Sequence, residues 1–212
     1  MSRAPIAIEL EDEEAFRRLT MQRITRDEIL PIGEYERLRP HFRARVVEAK
    51  KARRVRVADN LSAVFENRDS ALLQIQEMLR TERITAEHAI VHEIDTYNEL
   101  VPGDGELSLT LFVEIADKDE RERVLTELAG LEQRVLFELD GERYQAKTSS
   151  RAVEGFARTT AVHYFKIPLP DAALAAIRAG TAKAALVVDH PALAARAELS
   201  AATLRSLADD LR

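Results

Sequence analysis

The sequence predicts an α+β fold with a mainly antiparallel mixed sheet, a central helical hairpin and additional flanking helices. Strand-like segments are joined by two short turns, at residues 58–60 and 140–141, as is typical of antiparallel hairpins. Two adjacent segments without internal glycine or proline show helical periodicity. Because hairpins and helical crossovers are mixed along the chain, the order argues against a doubly wound parallel sheet.

The first part of the chain is predicted to contain an extension, two helices and a hairpin. Residues 1–22 are interpreted as an N-terminal extension and residues 23–212 as a single α+β domain. Thr25 is a candidate N-cap. Because Gly33 and Pro40 interrupt the following segment, we expect a short helix, a break, and a helix of about four turns ending near Lys51. A hairpin of residues 54–57 and 61–66 follows.

The central helical hairpin is predicted from residues 67–83 and 85–100. Asn67 is the expected N-cap of the first helix and Thr85 that of the second. The apolar stripe of the first helix consists of Leu72, Ile75 and Leu79, and that of the second consists of Ile90, Ile94, Tyr97 and Val101.

The remaining elements follow from alternation, turns and caps. Strands are expected at residues 106–115, 134–139, 142–147, 161–169, 184–189 and 194–199, and a helix at residues 118–128. Asp171 is the expected cap of an alanine-rich helix that ends at Gly180, and Ser200 is the expected cap of the terminal helix.

Composition excludes several kinds of chemistry. The chain of 212 residues has no cysteine, so disulfides, thiolate nucleophiles and cysteine-bound metal clusters are ruled out. The longest apolar stretch, near residues 182–188, is far shorter than the roughly 20 residues that span a bilayer. No phosphate-binding glycine loop, dinucleotide fingerprint or Gly-x-Ser-x-Gly elbow occurs. We therefore expect a cytoplasmic protein without a membrane segment.

A basic segment stands out against the net charge of −6. Its cations are Arg37, Arg39, Arg43, Arg45, Lys50, Lys51, Arg53, Arg54 and Arg56. Such a run can meet phosphate or an acidic partner. The acidic balance and the lack of interleaved aromatic residues nevertheless argue against nucleic acid. A solvated helix face followed by a charged edge strand is the favoured interpretation.

Two polar clusters are candidates for chemistry. On the second helix of the hairpin, His88, His92, Asp95 and Glu99 share one face, where an i, i+4 histidine pair can bind a divalent metal. The favoured alternative is a solvated polar face. Nearer the helix interface lie Glu66, Gln74, Gln76, Glu77, Glu93 and Asn98. For this inner cluster a structural network is favoured over a ligand site.

If the inner cluster is buried, Glu77 and Glu93 are expected to pair with arginines or to share a metal with His92. The strict Glu-x-x-His spacing of diiron carboxylate sites is absent, which counts against that model. The candidate ligand-binding residues are Arg68, Gln74, Glu77, Arg80, Tyr97 and Asn98. The candidate metal ligands are Glu77, His92 and Glu93.

Several separated motifs resemble an uncharacterised bacterial family, domain of unknown function 3501. They are FENRDSALLQIQEMLR at residues 65–80, HEIDTYNELVP at 92–102, the strand at 107–114, the segment 160–169 with Val-His-Tyr, and Val-Asp-His-Pro at 188–191. The resemblance covers roughly residues 24–211. Many members begin where Met21 stands, which implies that the first twenty residues are an extension or an over-called start. Glu99 departs from the proline that many members have after Tyr-Asn.

The resemblance implies no established reaction. Members are often encoded beside a rubrerythrin-like diiron protein and an iron–sulfur oxidoreductase, which implies those two partners and a link to redox or peroxide defence. The leading hypothesis is a cytoplasmic accessory or ligand-binding protein that uses residues 65–107. The alternative is a small metalloenzyme with a carboxylate/histidine site between helices 67–83 and 85–100. Reaction, substrate, cofactor and any homo-oligomer remain unassigned.

Overall fold

A computed structural model describes residues 23–148 and 157–211 of the chain, so the predicted extension lies outside the described residues. The helices are α1 Ile32–Arg53, α2 Arg68–Thr81, α3 Glu87–Asn98, α4 Lys118–Glu127, α5 Asp171–Ala179 and α6 Ala201–Asp210. The strands are β1 Arg54–Ala58, β2 Leu61–Glu66, β3 Glu106–Val113, β4 Val135–Leu139, β5 Glu142–Gln145, β6 Lys147–Thr148, β7 Val162–Pro168, β8 Ala184–His190 and β9 Leu193–Glu198. None of the described helices combines the length and apolar character needed to cross a membrane.

The α+β prediction is confirmed, and the strands divide into two antiparallel sheets. One sheet has the order β1-β2-β3-β7-β6 and the other β5-β4-β8-β9. Residues of both sheets share one hydrophobic core, in which the rings of Phe65 and Phe137 meet edge to face at 6.2 Å. Both faces of β2 are covered, because all six of its residues are buried. A second, smaller core lies under the helical hairpin and includes Ile75 and Ile94.

Helix α1 corrects the predicted break before the basic segment. It runs unbroken over 22 residues, although Pro40 lies inside it. Proline removes one backbone donor from the helix interior, which leaves a carbonyl one turn earlier without its usual partner. Both Pro40 and Glu36, four residues before it, are exposed, so water can hydrate that carbonyl. Packing of α1 against its neighbours, including burial of Tyr35 and Val46, therefore outweighs the local preference for a break.

The predicted caps divide into confirmed and corrected ones. Asn67 accepts a hydrogen bond from the backbone N–H of Ser70 at 3.0 Å, and Ser200 caps α6 in the same way. Thr85 is not a cap, because the link from α2 passes through a left-handed residue at 83 and α3 begins only at Glu87. Asp171 is the first residue of α5 rather than its cap, since proline precedes it as the N-cap.

The turns behave as the sequence predicts. Asp140 and Gly141 both have positive φ, 49° and 94°, as a two-residue hairpin turn of type I′ requires. The same turn helps to hold the sheet, because the Asp140 side chain accepts the backbone N–H of Lys183 at 2.8 Å. Strands β4 and β5 therefore pair in the expected register, with Leu139 opposite Glu142.

Candidate functional site

Glu77 is bound by side chains of α1. Its carboxylate accepts hydrogen bonds from the Tyr35 hydroxyl at 2.6 Å and from Nε and Nη2 of Arg39 at 2.7 and 3.0 Å. Arg80 approaches the same carboxylate at 3.7 Å. The bidentate Arg39 guanidinium is the main reason why the pKa of Glu77 lies below its usual value. The ionised carboxylate thus ties α2 to α1.

The three candidate metal ligands are not brought together. Glu77 is occupied by α1 as described, His92 is exposed, and Glu93 is half-buried. Across residues 23–148 and 157–211, no three histidine, aspartate or glutamate side chains are grouped so as to hold a metal ion. On the outer face of α3, His88 and Asp95 are exposed as well. The described geometry therefore gives no support to a metal centre on the helical hairpin.

The other candidate ligand residues are dispersed. Arg68 donates to the Glu28 carboxylate, which links α2 to the segment before α1. Gln74 is half-buried, and Tyr97 packs against the smaller hydrophobic core. Asn98 is 5% exposed and holds both backbone groups of Ile24: its Oδ1 accepts from the Ile24 N–H at 2.7 Å, and its Nδ2 donates to the Ile24 carbonyl at 2.9 Å. Asn98 therefore fixes the start of the described chain.

Asn98 also borders a polar pocket of about 620 Å³ between the end of α3 and the edge of the five-stranded sheet. The pocket is lined by Arg23, Asn98, Glu99, Val101, Pro102, Gly103, Glu106, Lys147, Thr148, Lys166 and Pro168. Residues from four separate stretches of the chain meet here. Six of the lining residues belong to segment 65–107, where the sequence predicts function, and the two lysines lie on strands that the sequence predicts at 142–147 and 161–169 without a functional role.

Lys166 is the most enclosed cation of this pocket, with 20% of its side chain exposed. Its ammonium group donates to the Val101 carbonyl at 2.6 Å and lies 3.1 Å from the Glu106 carboxylate. Burial lowers the pKa of Lys166, and the charge of Glu106 opposes that effect. Glu106 is itself held by the backbone N–H of Gly103 at 2.8 Å.

Lys147 lies directly opposite Lys166. Strands β6 and β7 are antiparallel, and these two residues are cross-strand partners in their register. Side chains directly opposite each other on neighbouring strands point to the same face of a sheet, where two like charges repel. The pair therefore places two lysine side chains on the same face of the sheet at the pocket wall. No sequence motif signals this arrangement, because it depends on the pairing of strands.

A second buried polar network lies where α1, β2 and α6 meet. The Glu66 carboxylate, 2% exposed, accepts hydrogen bonds from Ser70 at 2.5 Å and Thr110 at 2.9 Å, and Lys50 lies 3.5 Å away. Arg53, also 2% exposed, donates to backbone carbonyls of β2 and to the Asp210 carboxylate. The network joins five elements of the fold, α1, β2, α2, β3 and α6, and reaches solvent at its edges, where Lys50 and Asp210 are partly exposed.

The basic segment is largely paired within the chain. Besides Arg39 and Arg53, Arg45 pairs with Asp69 at 2.9 Å and Arg54 with Glu114 at 3.0 Å. Lys51 pairs with Glu48 at 2.6 Å. Six of the nine cations thus form ion pairs with described residues, which reduces the charge that the segment could offer to a phosphate backbone.

The comparisons with known proteins identify relatives of unknown function. A family model with the description "Protein of unknown function (DUF3501)" matches residues 23–211. A solved structure titled as a novel protein of unknown function from Burkholderia pseudomallei K96243 is 34% identical, with a TM-score of 0.84. That match covers 90% of this chain and 100% of the other. No curated protein matches the chain.

Proposed function

Because the chain belongs to the DUF3501 family of proteins of unknown function, we propose its role from its own geometry: it is a ligand-binding protein whose polar pocket binds a small organic anion. The observation that carries the proposal is the cross-strand pair of Lys147 and Lys166 at the pocket wall. Two ammonium groups on one face repel each other, and an anion between them relieves that repulsion.

The charge balance of the pocket supports an anionic ligand. Arg23, Lys147 and Lys166 supply three positive charges, and Glu99 and Glu106 supply two negative ones. An ammonium group has three N–H donors. Two of those of Lys166 are used by Val101 and Glu106, and the negative charge of Glu99 also acts on this ammonium group. The remaining donor is available to a carboxylate or phosphate oxygen.

The size and partial enclosure of the pocket fit a small molecule. Its volume of about 620 Å³ lies within the range of small-molecule sites. Glu99 and Glu106 supply acceptors beside the cations, so a ligand that also carries hydroxyl or amine donors matches the lining better than a bare inorganic ion does. We therefore favour hydroxylated or amino-substituted carboxylates and phosphate esters.

The test is a binding titration with matched lysine variants. Citrate, serine and glycerol 3-phosphate would be compared with uncharged glycerol by calorimetry and by ligand-induced stabilisation. Lys166→Met is expected to weaken binding of the best anion by roughly tenfold to a hundredfold, because it removes a charge-assisted hydrogen bond. Lys118→Met is the control, since Lys118 is exposed and does not line the pocket. Urea denaturation of each variant confirms folding.

Two results contradict the proposal. The first is a flat titration in which none of the anions binds more tightly than glycerol. The second is an affinity of the folded Lys166→Met variant that equals that of Lys118→Met. Lys166→Arg retains the charge with a different shape, so partial binding by this variant would separate the contribution of charge from that of fit.

The association with a rubrerythrin-like protein and an iron–sulfur oxidoreductase, and with it a role in redox or peroxide defence, stays a prediction from the family resemblance. It is tested by co-purification from the native source under anaerobic, low-salt conditions. Recovery of either partner with the intact chain supports the accessory role. Absence of both from the purified material, with the chain itself recovered in good yield, contradicts it.

A further inference from the structure

A separate cleft of about 400 Å³ lies between α1 and α2. Its apolar walls are formed by Leu30, Leu38, Phe42 and Leu72. Leu38 is 54% exposed, the highest exposure among the four large hydrophobic residues that are exposed in the described part of the chain. The cleft has the size and the apolar lining of a small-molecule site, and it shares no lining residue with the polar pocket.

Gln76 places a hydrogen-bonding amide group in this otherwise apolar cleft. It lines the cleft and is buried, with 3% of the residue exposed. Its amide forms no hydrogen bond with any residue in the part of the chain that the structure describes. Neither amide atom is among the fully buried side-chain atoms that lack a partner in the described residues, so the amide keeps some contact with solvent, and the cleft is the side from which a ligand can reach it.

The charged groups around the cleft already have partners. The Glu28 carboxylate accepts hydrogen bonds from Arg68 and from Thr25. The Arg45 guanidinium pairs with Asp69 and lies 5.3 Å from the centre of the Phe42 ring. His41 also lines the cleft but is exposed to solvent. A charged ligand would have to compete with these pairs, whereas a neutral one leaves them intact.

We propose that this cleft binds a neutral apolar molecule carrying one hydroxyl, carbonyl or amide group, which hydrogen-bonds to Gln76. The apolar walls, the amide without a hydrogen bond to the protein, and the charged groups at the edge that already have partners all favour such a ligand. The apolar body of the ligand covers Leu38 and Phe42. This second site is independent of the anion site proposed above, so either proposal can fail without the other.

Three probes with the same eight-carbon chain test the proposal on the intact protein: octan-1-ol, octanoate and octylammonium. Binding would be followed by chemical-shift changes of backbone amides. Octan-1-ol is expected to bind most tightly and to perturb residues of the cleft, among them Leu38 and Leu72. Gln76→Leu is expected to weaken octan-1-ol binding by roughly twofold to tenfold, through the loss of one hydrogen bond.

Gln74→Leu is the matched control, because Gln74 lies on the same helix, is half-buried and does not line the cleft. Its affinity for octan-1-ol is expected to equal that of the unmodified protein. The proposal is overturned if either charged probe binds as tightly as octan-1-ol, or if Gln76→Leu and Gln74→Leu bind it equally. It is also overturned if octan-1-ol perturbs no residue of the cleft.

Discussion

Replacement of Arg53 by methionine tests the buried network at the junction of α1, β2 and α6. Nε of Arg53 donates to the Phe65 carbonyl at 2.7 Å, and Nη2 donates to the Glu66 carbonyl at 3.1 Å and to the Asp210 carboxylate at 2.5 Å. Nη1 donates to Ser206 Oγ at 2.9 Å. Methionine retains most of the aliphatic volume and removes every one of these donors.

The expected loss in the free energy of unfolding follows from the acceptor groups that lose their donor when Arg53 is replaced. Removal of one partner of a buried ion pair costs about 3–5 kcal/mol, because the other charge stays buried and uncompensated. The Asp210 carboxylate, with 24% of its side chain exposed, loses its arginine partner, and two β2 carbonyls lose a donor as well. For a chain of this size the melting temperature is expected to fall by roughly 6–20 °C.

Equilibrium urea denaturation measures the change as a shift of the midpoint at constant slope. Arg196→Met is the control: Arg196 also binds two carboxylates, Glu138 and Glu198, but its side chain is 46% exposed. Exposed ion pairs contribute about 0–1 kcal/mol, so this variant is expected to lose no more than that. Comparing the stability losses of the two variants separates the effect of burial from the effect of the number of ion pairs.

The response to pH gives a second readout. Burial raises the pKa of Asp210 above its usual value even though Arg53 opposes the shift, and removal of Arg53 raises it further. A folded pKa above the unfolded one means that the folded state binds more protons in that window. The penalty for the ionised carboxylate is therefore present at higher pH and is relieved as pH falls through the folded pKa.

The defect of Arg53→Met is accordingly expected to be smaller at about pH 5 than at about pH 8. Adding Asp210→Asn to Arg53→Met should recover part of the lost stability, because the uncompensated charge is gone. The reasoning is refuted if Arg53→Met costs less than about 1 kcal/mol, or no more than Arg196→Met.

Three further predictions concern α1, the polar pocket and its border. Pro40→Ala is expected to stabilise the fold by about 1–3 kcal/mol in urea denaturation, since it restores a helix donor at an exposed position; an unchanged midpoint contradicts this. Asn98→Ala should destabilise by about 1–3 kcal/mol and speed hydrogen exchange at Ile24, and unaltered exchange there would show that the two hydrogen bonds do not anchor the chain. Anion affinity of the polar pocket should fall as pH rises, at a pH below that at which ordinary lysines deprotonate, because burial lowers the pKa of Lys166. A decline in affinity only in the range of an exposed lysine contradicts that assignment.

The elements that the sequence predicts well are those specified by neighbouring residues. The Asn67 cap depends on residues three positions apart, and the turn at Asp140-Gly141 depends on two adjacent residues that tolerate positive φ. Alternation likewise marks β3 to within two residues of its end. The α+β class follows from these local signals because hairpins and helices can be recognised one at a time.

Pro40 shows where local reasoning stops. Proline inside a helical pattern favours a break, and the helix nevertheless continues through it, because the energy that holds α1 comes from packing against α2 and α6. The division of the strands into two sheets is of the same kind. The assignment of strands to sheets depends on which strands pair and pack across the core, and no local sequence pattern specifies this pairing.

The sequence by itself determined the fold class, most element boundaries, the absence of cysteine chemistry and the segment 65–107 as a region of interest. Only the tertiary structure decided what the polar residues do. Glu77 turns to Tyr35, 42 residues away, and Arg53 meets Asp210 at a separation of 157 residues. Lys147 and Lys166 become neighbours only through strand pairing. The physical reason is that charge and hydrogen-bond partners are chosen by distance in space, whereas caps and turns are chosen by distance along the chain.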